Sequence, residues 1–341
     1  MGIKAAILGV SGYTGQQLLS ILSNHSEVEI KAIFGKKSIG KTIRDIASKD
    51  SNLSELKVQN YVNYNFKDVD IVFSCLPHNT LQKIIKKINA KKLIDLSADF
   101  RFQSAKKYKE FYNYQHTNPQ MLKKFTYGLS EINKTKIKNS NFVANPGCYP
   151  TSVLIPLIPI LKNIKNKSSI IIDAKSGLSG AGKILNDSNL FVETNENIRP
   201  YKVFTHRHYP EIMEKIEENN IDCELTFTPH LIPISRGILS TIYLKNININ
   251  SKRIRDILKK KYHEDYFVEI LSEGVMPSLK SIIGTNKISL NIFEDTTSKT
   301  IVIISAIDNL IKGAAGQAVQ NMNLMYNLNV TESLKVISMV P

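Results

Sequence analysis

The opening of the chain constrains its fold more than any other stretch. A short apolar run, Ile3-Lys4-Ala5-Ala6-Ile7-Leu8-Gly9, passes directly into Gly9-Val10-Ser11-Gly12-Tyr13-Thr14-Gly15, and Gln16 to Leu22 then follows at helical period. Strand, tight glycine turn and helix make the first unit of a parallel α/β sheet. In such a unit the missing Cβ atoms let a pyrophosphate approach backbone N–H groups at the positive end of the helix. Gly9, Ser11, Gly12, Tyr13, Thr14 and Gly15 are therefore candidate cofactor contacts. The spacing is GxxGxxG and departs from GxGxxG, so an ordinary glycine-rich turn is the competing reading. Its place in the first βα unit favours the nucleotide.

The end of the second strand-like run, Val28 to Phe34, selects the dinucleotide. Where an NAD site usually carries a carboxylate for the ribose 2′-hydroxyl, the chain reads Gly35-Lys36-Lys37-Ser38. Two cations and a hydroxyl suit a 2′-phosphate, so Lys36, Lys37 and Ser38 predict NADP(H); solvated surface lysines are the alternative. Further strand-like runs at Val69 to Cys75 and Leu93 to Leu96 alternate with helix-compatible stretches, which predicts a parallel sheet covered on both faces. Beyond Pro150 the texture changes to long runs at Ser169 to Ala174, Cys223 to Thr228, Gly237 to Lys245, Ile282 to Ile292 and Lys299 to Ile307. These predict an α+β domain on a mostly antiparallel sheet. The expected boundaries are 1–147 for the first domain and 148–311 for the second, with the tail from 312 to 341, helical over Lys312 to Asn327, packing back on the first.

Composition excludes more than it specifies. With 341 residues, 42% apolar and 22% charged, the chain has the makings of two ordinary domains. No run approaches the ~20 apolar residues of a membrane span, and the start leads into a strand with no cleavage site, so a cytoplasmic protein is expected. The net charge of +15 raises nucleic acid as a partner, but the lysines lie along helix-like segments as solvated faces, so none is expected, although anionic ligands are favoured. Cys75, Cys148 and Cys223 are an odd count with no CxxC pair, against both a disulfide framework and a structural zinc site.

Asn145-Pro146-Gly147-Cys148-Tyr149-Pro150 places Cys148 on a turn just before a Pro suited to the first position of a helix. Unpaired N–H groups and the helix dipole lower a thiol's pKa there and can stabilise an oxyanion on a thioester. Cys148 is the expected nucleophile; a buried structural cysteine is the poorer reading. His206-Arg207-His208-Tyr209-Pro210-Glu211 is the densest ionisable segment, with Pro210 taken to mark a helix from Glu211 to Glu218. By position His208 is the preferred base and Glu211 its orienting partner, which leaves His206 and Arg207 for substrate anions. The choice between the two histidines stays open, and a zinc site lacks a third ligand, so no metal is expected. Cys75 and Pro77 end a strand where cofactors lie and read as lining, while Cys223 reads as core. Ser179 and Gly180, in the second glycine-rich turn, wrap the nicotinamide or a phosphate, or belong to a plain flexible loop. Arg101, Asn145 and Arg236 beside turns are candidate substrate contacts.

With these segments in view, the chain resembles the N-acetyl-gamma-glutamyl-phosphate reductases, NADPH-dependent enzymes of arginine biosynthesis related to aspartate-semialdehyde dehydrogenase. The resemblance runs nearly end to end, through Ser11 to Gly15, Cys75 to His78, Asp95 to Arg101, Tyr127 to Glu131, Asn145 to Thr151, Ser176 to Lys183, Tyr201 to Glu211, Thr228 to Leu239 and Asp308 to Gln317. It implies a Rossmann domain completed by the C-terminal helix, a second α+β domain that forms a homodimer or homotetramer, Cys148 as nucleophile, His208 as acid/base with Glu211 as support, and Asn309 near the nicotinamide. It further implies reductive dephosphorylation of the acyl phosphate to the semialdehyde through a Cys148 thioester. Two rivals stand beside this: a sister dehydrogenase acting on aspartyl phosphate or carrier-linked aminoadipyl phosphate, and a nonenzymatic NADP-sensing or nucleic-acid-binding protein on the same fold.

Overall fold

The apolar runs become strands wherever successive side chains can be buried against a sheet. The computed structural model describes residues 2–46, 53–164, 168–183, 187, 190–219, 221–245, 247–336 and 338. The chain divides into two units, Met1–Pro146 with Ala314–Lys335, and Gly147–Gly313 with Val336–Pro341.

The first unit is built on β1 (Ile3–Leu8), β2 (Val28–Phe34), β3 (Val58–Gln59), β4 (Ile71–Ser74), β5 (Lys92–Asp95), β6 (Thr126–Tyr127) and β7 (Phe142–Ala144), in the order β3-β2-β1-β4-β5-β7-β6. Every pairing is parallel. Strands β1 and β4 are buried over Ala5–Leu8 and Ile71–Ser74, as strands covered on both faces must be. The order reverses between β1 and β4, the switch point where such sheets bind ligands beyond their carboxyl ends. The helix Gly316–Met325 belongs to this unit and is buried along its whole length. Its polar side chains reach partners: Gln317 Nε2 and Asn321 Nδ2 both donate to Gly128 O, at 3.0 and 2.8 Å, and Gln320 Nε2 donates to Glu131 Oε1 at 2.8 Å. Buried amides cost little once they are bonded.

The second unit carries β8 (Ser168–Ser176), β9 (Arg199–Pro200), β10 (Cys223–Leu231), β11 (Ile238–Lys245), β12 (Val268–Ile270), β13 (Ile288–Asp295) and β14 (Thr300–Ile307), ordered β12-β13-β14-β11-β8-β10-β9. Antiparallel pairs predominate; β8 with β10 and β12 with β13 are parallel. Burial alternates strictly along β8, β10 and β11, so one face is core and the other is only half-covered. On the core face Ser152 Oγ meets Ser240 Oγ at 2.7 Å, and Ser305 Oγ donates to Ser152 O at 2.7 Å. These bonds tie the helix Cys148–Leu157 to β11 and β14.

Some boundaries differ from the sequence reading. The fourth long run of the second domain starts at Ile288, not Ile282, because Gly284 adopts a left-handed conformation (φ 84°) inside a turn. The tail opens with a π turn, Ile311–Ala315, before the α-helix begins at Gly316. The strands β3, β6, β7, β9 and β12 are two or three residues long, too short to leave a period in the sequence.

Candidate active site

The nucleotide turn is built by contact distance. Gly9 has φ 83°, and a Cβ there would stand 2.6 Å from Cys75 O, so β1 and β4 can approach only with glycine at this corner. A Cβ on Gly15 would stand 2.3 Å from Gly9 O, whereas one on Gly12 would meet nothing nearer than 3.7 Å. Gly9 and Gly15 thus close the turn, and Gly12, at the N-cap of the helix Tyr13–Leu22, leaves open space where a helix presents unpaired N–H groups. Gly35 opens a second space: its Cβ would lie 2.4 Å from Ser38 Oγ and 3.4 Å from Ser11 Oγ. Ser38 is buried and its Oγ has no hydrogen-bond partner among the described residues. A buried hydroxyl without a partner is costly unless a ligand or water supplies one. Ser11, Gly35 and Ser38 therefore converge, with Lys36 and Lys37 exposed beside them. Cys75 is half-buried, and burial, aided by the Asp95 carboxylate, pushes its thiol well up. Pro77 is exposed.

Arg101 and Asn145 are inward members of the same unit. Arg101 Nε donates to Asn145 O at 2.8 Å and its Nη2 to Leu96 O at 2.9 Å. Asn145 Nδ2 donates to Ala314 O at 3.2 Å, and its Oδ1 accepts from Asn321 Nδ2 at 3.0 Å. Both side chains are engaged with the protein itself, and each is at most 5% exposed.

In the second unit, Cys148 is the first residue of the helix Cys148–Leu157, which starts two residues before the Pro150 that the sequence reading put first; Pro150 falls third, still within the first turn, where its missing N–H costs nothing. Gly147 caps the helix with extended backbone (φ −67°, ψ 156°), a conformation open to any residue. Glycine is required there for another reason. A Cβ would stand 2.5 Å from His208 Nε2, so the imidazole lies flush against the residue before the cysteine. On the other side, a Cβ on Gly313 would stand 2.7 Å from Cys148 Cβ. Cys148 is thus set between two glycines and remains half-buried, with Sγ at a helix N-terminus.

His208 likewise opens a helix, His208–Glu217, so Pro210 lies inside the first turn and does not precede it. Glu211, three residues on, shares that face. It is 1% exposed, and its Oε1 accepts the Gly147 N–H at 2.9 Å. One carboxylate therefore ties the helix of the histidine to the cap of the cysteine. Around them stand aromatic residues that the sequence did not single out. Tyr149 OH and Tyr201 OH are 3.2 Å apart, and the Tyr149, Tyr201 and Phe227 rings pack edge-on against His206 at 5.4 Å between centroids. Burial pushes the Tyr201 phenol up to about 12, with the neighbouring Cys148 adding to it. Arg207 is half-buried at the N-cap of the helix.

The turn after β8 is held, not loose. Leu178 N and Ser179 N donate to Ile234 O and Ser235 O at 2.9 and 3.1 Å, and Asn309 joins it to the next strand by donating to Ser179 Oγ (2.9 Å) and accepting the Gly237 N–H (2.7 Å). Arg236 pairs with fully buried Asp308 at 3.3 Å. Gly180 is exposed. Cys223 is buried in β10, its thiol pushed up to about 11 by burial and by Asp222 and Glu217. Among the described residues no three of His, Cys, Asp and Glu gather as a metal-binding group, and no helix is long and apolar enough to cross a membrane.

Residues 4–140 match the semialdehyde dehydrogenase NAD binding domain and residues 148–309 the semialdehyde dehydrogenase dimerisation domain. Aspartate semialdehyde dehydrogenase II from Vibrio cholerae shares the fold at a TM-score of 0.75 and 18% identity, over 96% of this chain and 99% of that one. Fold and domains together define a protein of the semialdehyde dehydrogenase class. Two relatives are closer in sequence, both named N-acetyl-gamma-glutamyl-phosphate reductase: one from Halothermothrix orenii, 43% identical over 99% of this chain and all of that protein, and one from Alkaliphilus metalliredigens, 45% identical over 96% of each. The chain belongs to the N-acetyl-gamma-glutamyl-phosphate reductase family.

Proposed function

We propose that this protein reduces N-acetyl-gamma-glutamyl phosphate to the semialdehyde with NADPH, releasing phosphate, as a cytoplasmic enzyme of arginine biosynthesis. The observation that carries this reading is Cys148 at a helix N-terminus with the His208 imidazole against the adjacent Gly147. In this reading the first unit holds the dinucleotide. Gly9 and Gly15 close the turn on which the pyrophosphate would lie, with Ser11, Gly12, Tyr13 and Thr14 around it; Ser38 with Lys36 and Lys37 would meet the 2′-phosphate; Cys75 and Pro77 would line the site. Ser179, Gly180 and Asn309 are assigned to cofactor binding as well. When bound, reduced nicotinamide supplies the hydride that brings the acyl carbon to the aldehyde level.

The protein's own part begins with the sulfur. The Cys148 thiolate adds to the acyl carbon and the C–O bond to phosphate breaks, leaving a thioester and inorganic phosphate. The first N–H groups of the helix Cys148–Leu157, which begins at Cys148, would stabilise the oxygen that bears charge during this addition. While the acyl carbon is reduced, protonated His208 gives its proton to the thioester oxygen, and it takes that proton back as the C–S bond breaks and the Cys148 thiolate is restored. Glu211 keeps the two helices in register through Gly147. Arg207 and Arg236 supply positive charge for the substrate's carboxylate and phosphate. To Arg101 and Asn145 we assign the placement of the chain leading to Gly147, through the bonds described above.

The half-covered sheet face supports assembly as a homodimer or homotetramer. Thr226, Ile171, Tyr243, Val302 and Phe293 stand in register across five strands, all half-buried. A row that is apolar from Ile171 through Tyr243 and Val302 to Phe293, on an open face, fits a second copy.

The reverse reaction tests substrate and cofactor together. Phosphate-dependent reduction of NADP is expected with N-acetylglutamate semialdehyde, and at least ~100-fold less with aspartate semialdehyde or a carrier-linked aminoadipate semialdehyde. Equal rates on all three would remove the substrate assignment, and a preference for NAD would remove the role given to Ser38.

A further inference from the structure

Two histidines two residues apart face the same site, and their geometry gives them different work. Nδ1 of His206 accepts the backbone N–H of His208 at 3.0 Å. That N–H is the first of the helix His208–Glu217, one of the donors no intrahelical carbonyl can satisfy. Arg207, at the N-cap, makes no side-chain capping bond, so the His206 ring takes the place that a Ser or Asp oxygen usually fills. A ring nitrogen that accepts this bond carries no proton; both nitrogens of an imidazolium are donors. The ring is also fixed in orientation. It stands edge-on to Tyr149 (5.4 Å, 88°), Tyr201 (5.4 Å, 73°), Phe227 (5.4 Å, 82°) and His208 itself (4.9 Å, 67°).

We propose that His206 is a neutral positioning residue, an imidazole cap that holds the backbone and ring of His208 against Gly147, and that it does not bind substrate anions by charge. The inference rests on His208 being the proton-transfer group. The surroundings agree with it: burial, with Lys202 and Arg207 nearby, draws His206 down to about 3, and the other groups packed on it, Tyr149 and Tyr201, are phenols held neutral. The sequence reading left His206 to the substrate by position alone; the accepted N–H and the ring packing support the capping role instead.

The direct test is nitrogen-15 NMR of the imidazoles in the whole protein, with the His206 signals identified by their loss in His206→Asn. Nδ1 of His206 is expected to stay unprotonated, with the proton on Nε2, from pH 5 to 8. Protonation with a midpoint near ~6.5 would overturn the proposal. Kinetics give a second reading. His206→Asn keeps an acceptor within reach of the same N–H, whereas His206→Phe keeps the ring and loses the acceptor. The Phe variant should lose ~10–100-fold in kcat with KM for the acyl phosphate changed less than ~3-fold, and the Asn variant should recover most of the kcat. A rise in KM with kcat intact in both variants, or full turnover by the Phe variant, would count against it. If the Phe variant does not fold, the titration of the unmodified protein decides. His208→Ala separates the two readings, since full turnover there would remove the role of His208 while leaving the His206 titration as measured.

Discussion

At the scale of single residues, the site depends as much on atoms that are absent as on those that react. Gly147 and Gly313 have no Cβ because His208 and Cys148 occupy that space. Gly147→Ala is informative because the backbone there is extended and tolerates any side chain, so the damage comes from displacing the imidazole. A drop of ~100-fold in kcat is expected, with stability changed by at most ~1–3 kcal/mol, measured by steady-state kinetics and urea unfolding. Unchanged kcat would mean the ring is not needed where it lies. Cys148→Ser should abolish turnover while NADPH still binds by fluorescence titration; retained turnover would end the covalent scheme. The cysteine, the second histidine and the carboxylate were legible in the sequence as reactive residue types beside turns. The glycines' second purpose was not, because a glycine before a helix reads the same whether it serves φ or proximity.

At the scale of elements, two helix N-termini face one carboxylate, and one helix is buried by amide bonds. Glu211 accepting the Gly147 N–H couples the helices that begin at Cys148 and His208. In the helix Gly316–Met325, Asn321 donates to Gly128 O and Asn145 Oδ1 and accepts from Ser130 Oγ at 2.8 Å. Asn321→Leu keeps the volume but takes this partner from buried Asn145 Oδ1 and Ser130 Oγ, Gly128 O keeping Gln317, so a loss of ~2–4 kcal/mol in unfolding free energy is expected from denaturant titration, against ~1 kcal/mol for an ordinary helix substitution. A loss under ~1 kcal/mol would mean water replaces the amide. The sequence pattern foresaw a helix here from its apolar positions, but it could not foresee that Gln317, Gln320 and Asn321 would be as buried as Val319 and Met322. Burial of an amide depends on partners far along the chain.

At the scale of the whole molecule, assembly and pH response come from surfaces and cores that span many elements. Tyr243→Asp with Val302→Asp places charge in the middle of the apolar row on the open sheet face. If this face is the interface, sedimentation of the double variant should report a smaller assembly than that of the unmodified chain, and an unchanged mass would remove that face as the interface. In the first unit, burial and the neighbouring Asp99 raise the pKa of Asp95, against the lowering effects of Ser97 and Arg101. A carboxyl that holds its proton more tightly when folded stabilises fully below its ordinary value near ~4 and loses that contribution as pH rises through its folded value. The stability of the native chain relative to Asp95→Asn should therefore fall by up to ~1.4 kcal/mol per pH unit in that window; a rise would show the carboxylate to be the favoured form. The sequence by itself determined the two kinds of sheet, the nucleotide turn and a cysteine beside a helix start, because strand period, glycine spacing and residue chemistry act over a few neighbours. Only the tertiary structure decided which histidine lies against Gly147, that Glu211 holds Gly147, and that Arg101 and Asn145 turn inward, because each is a contact between residues that only folding brings together.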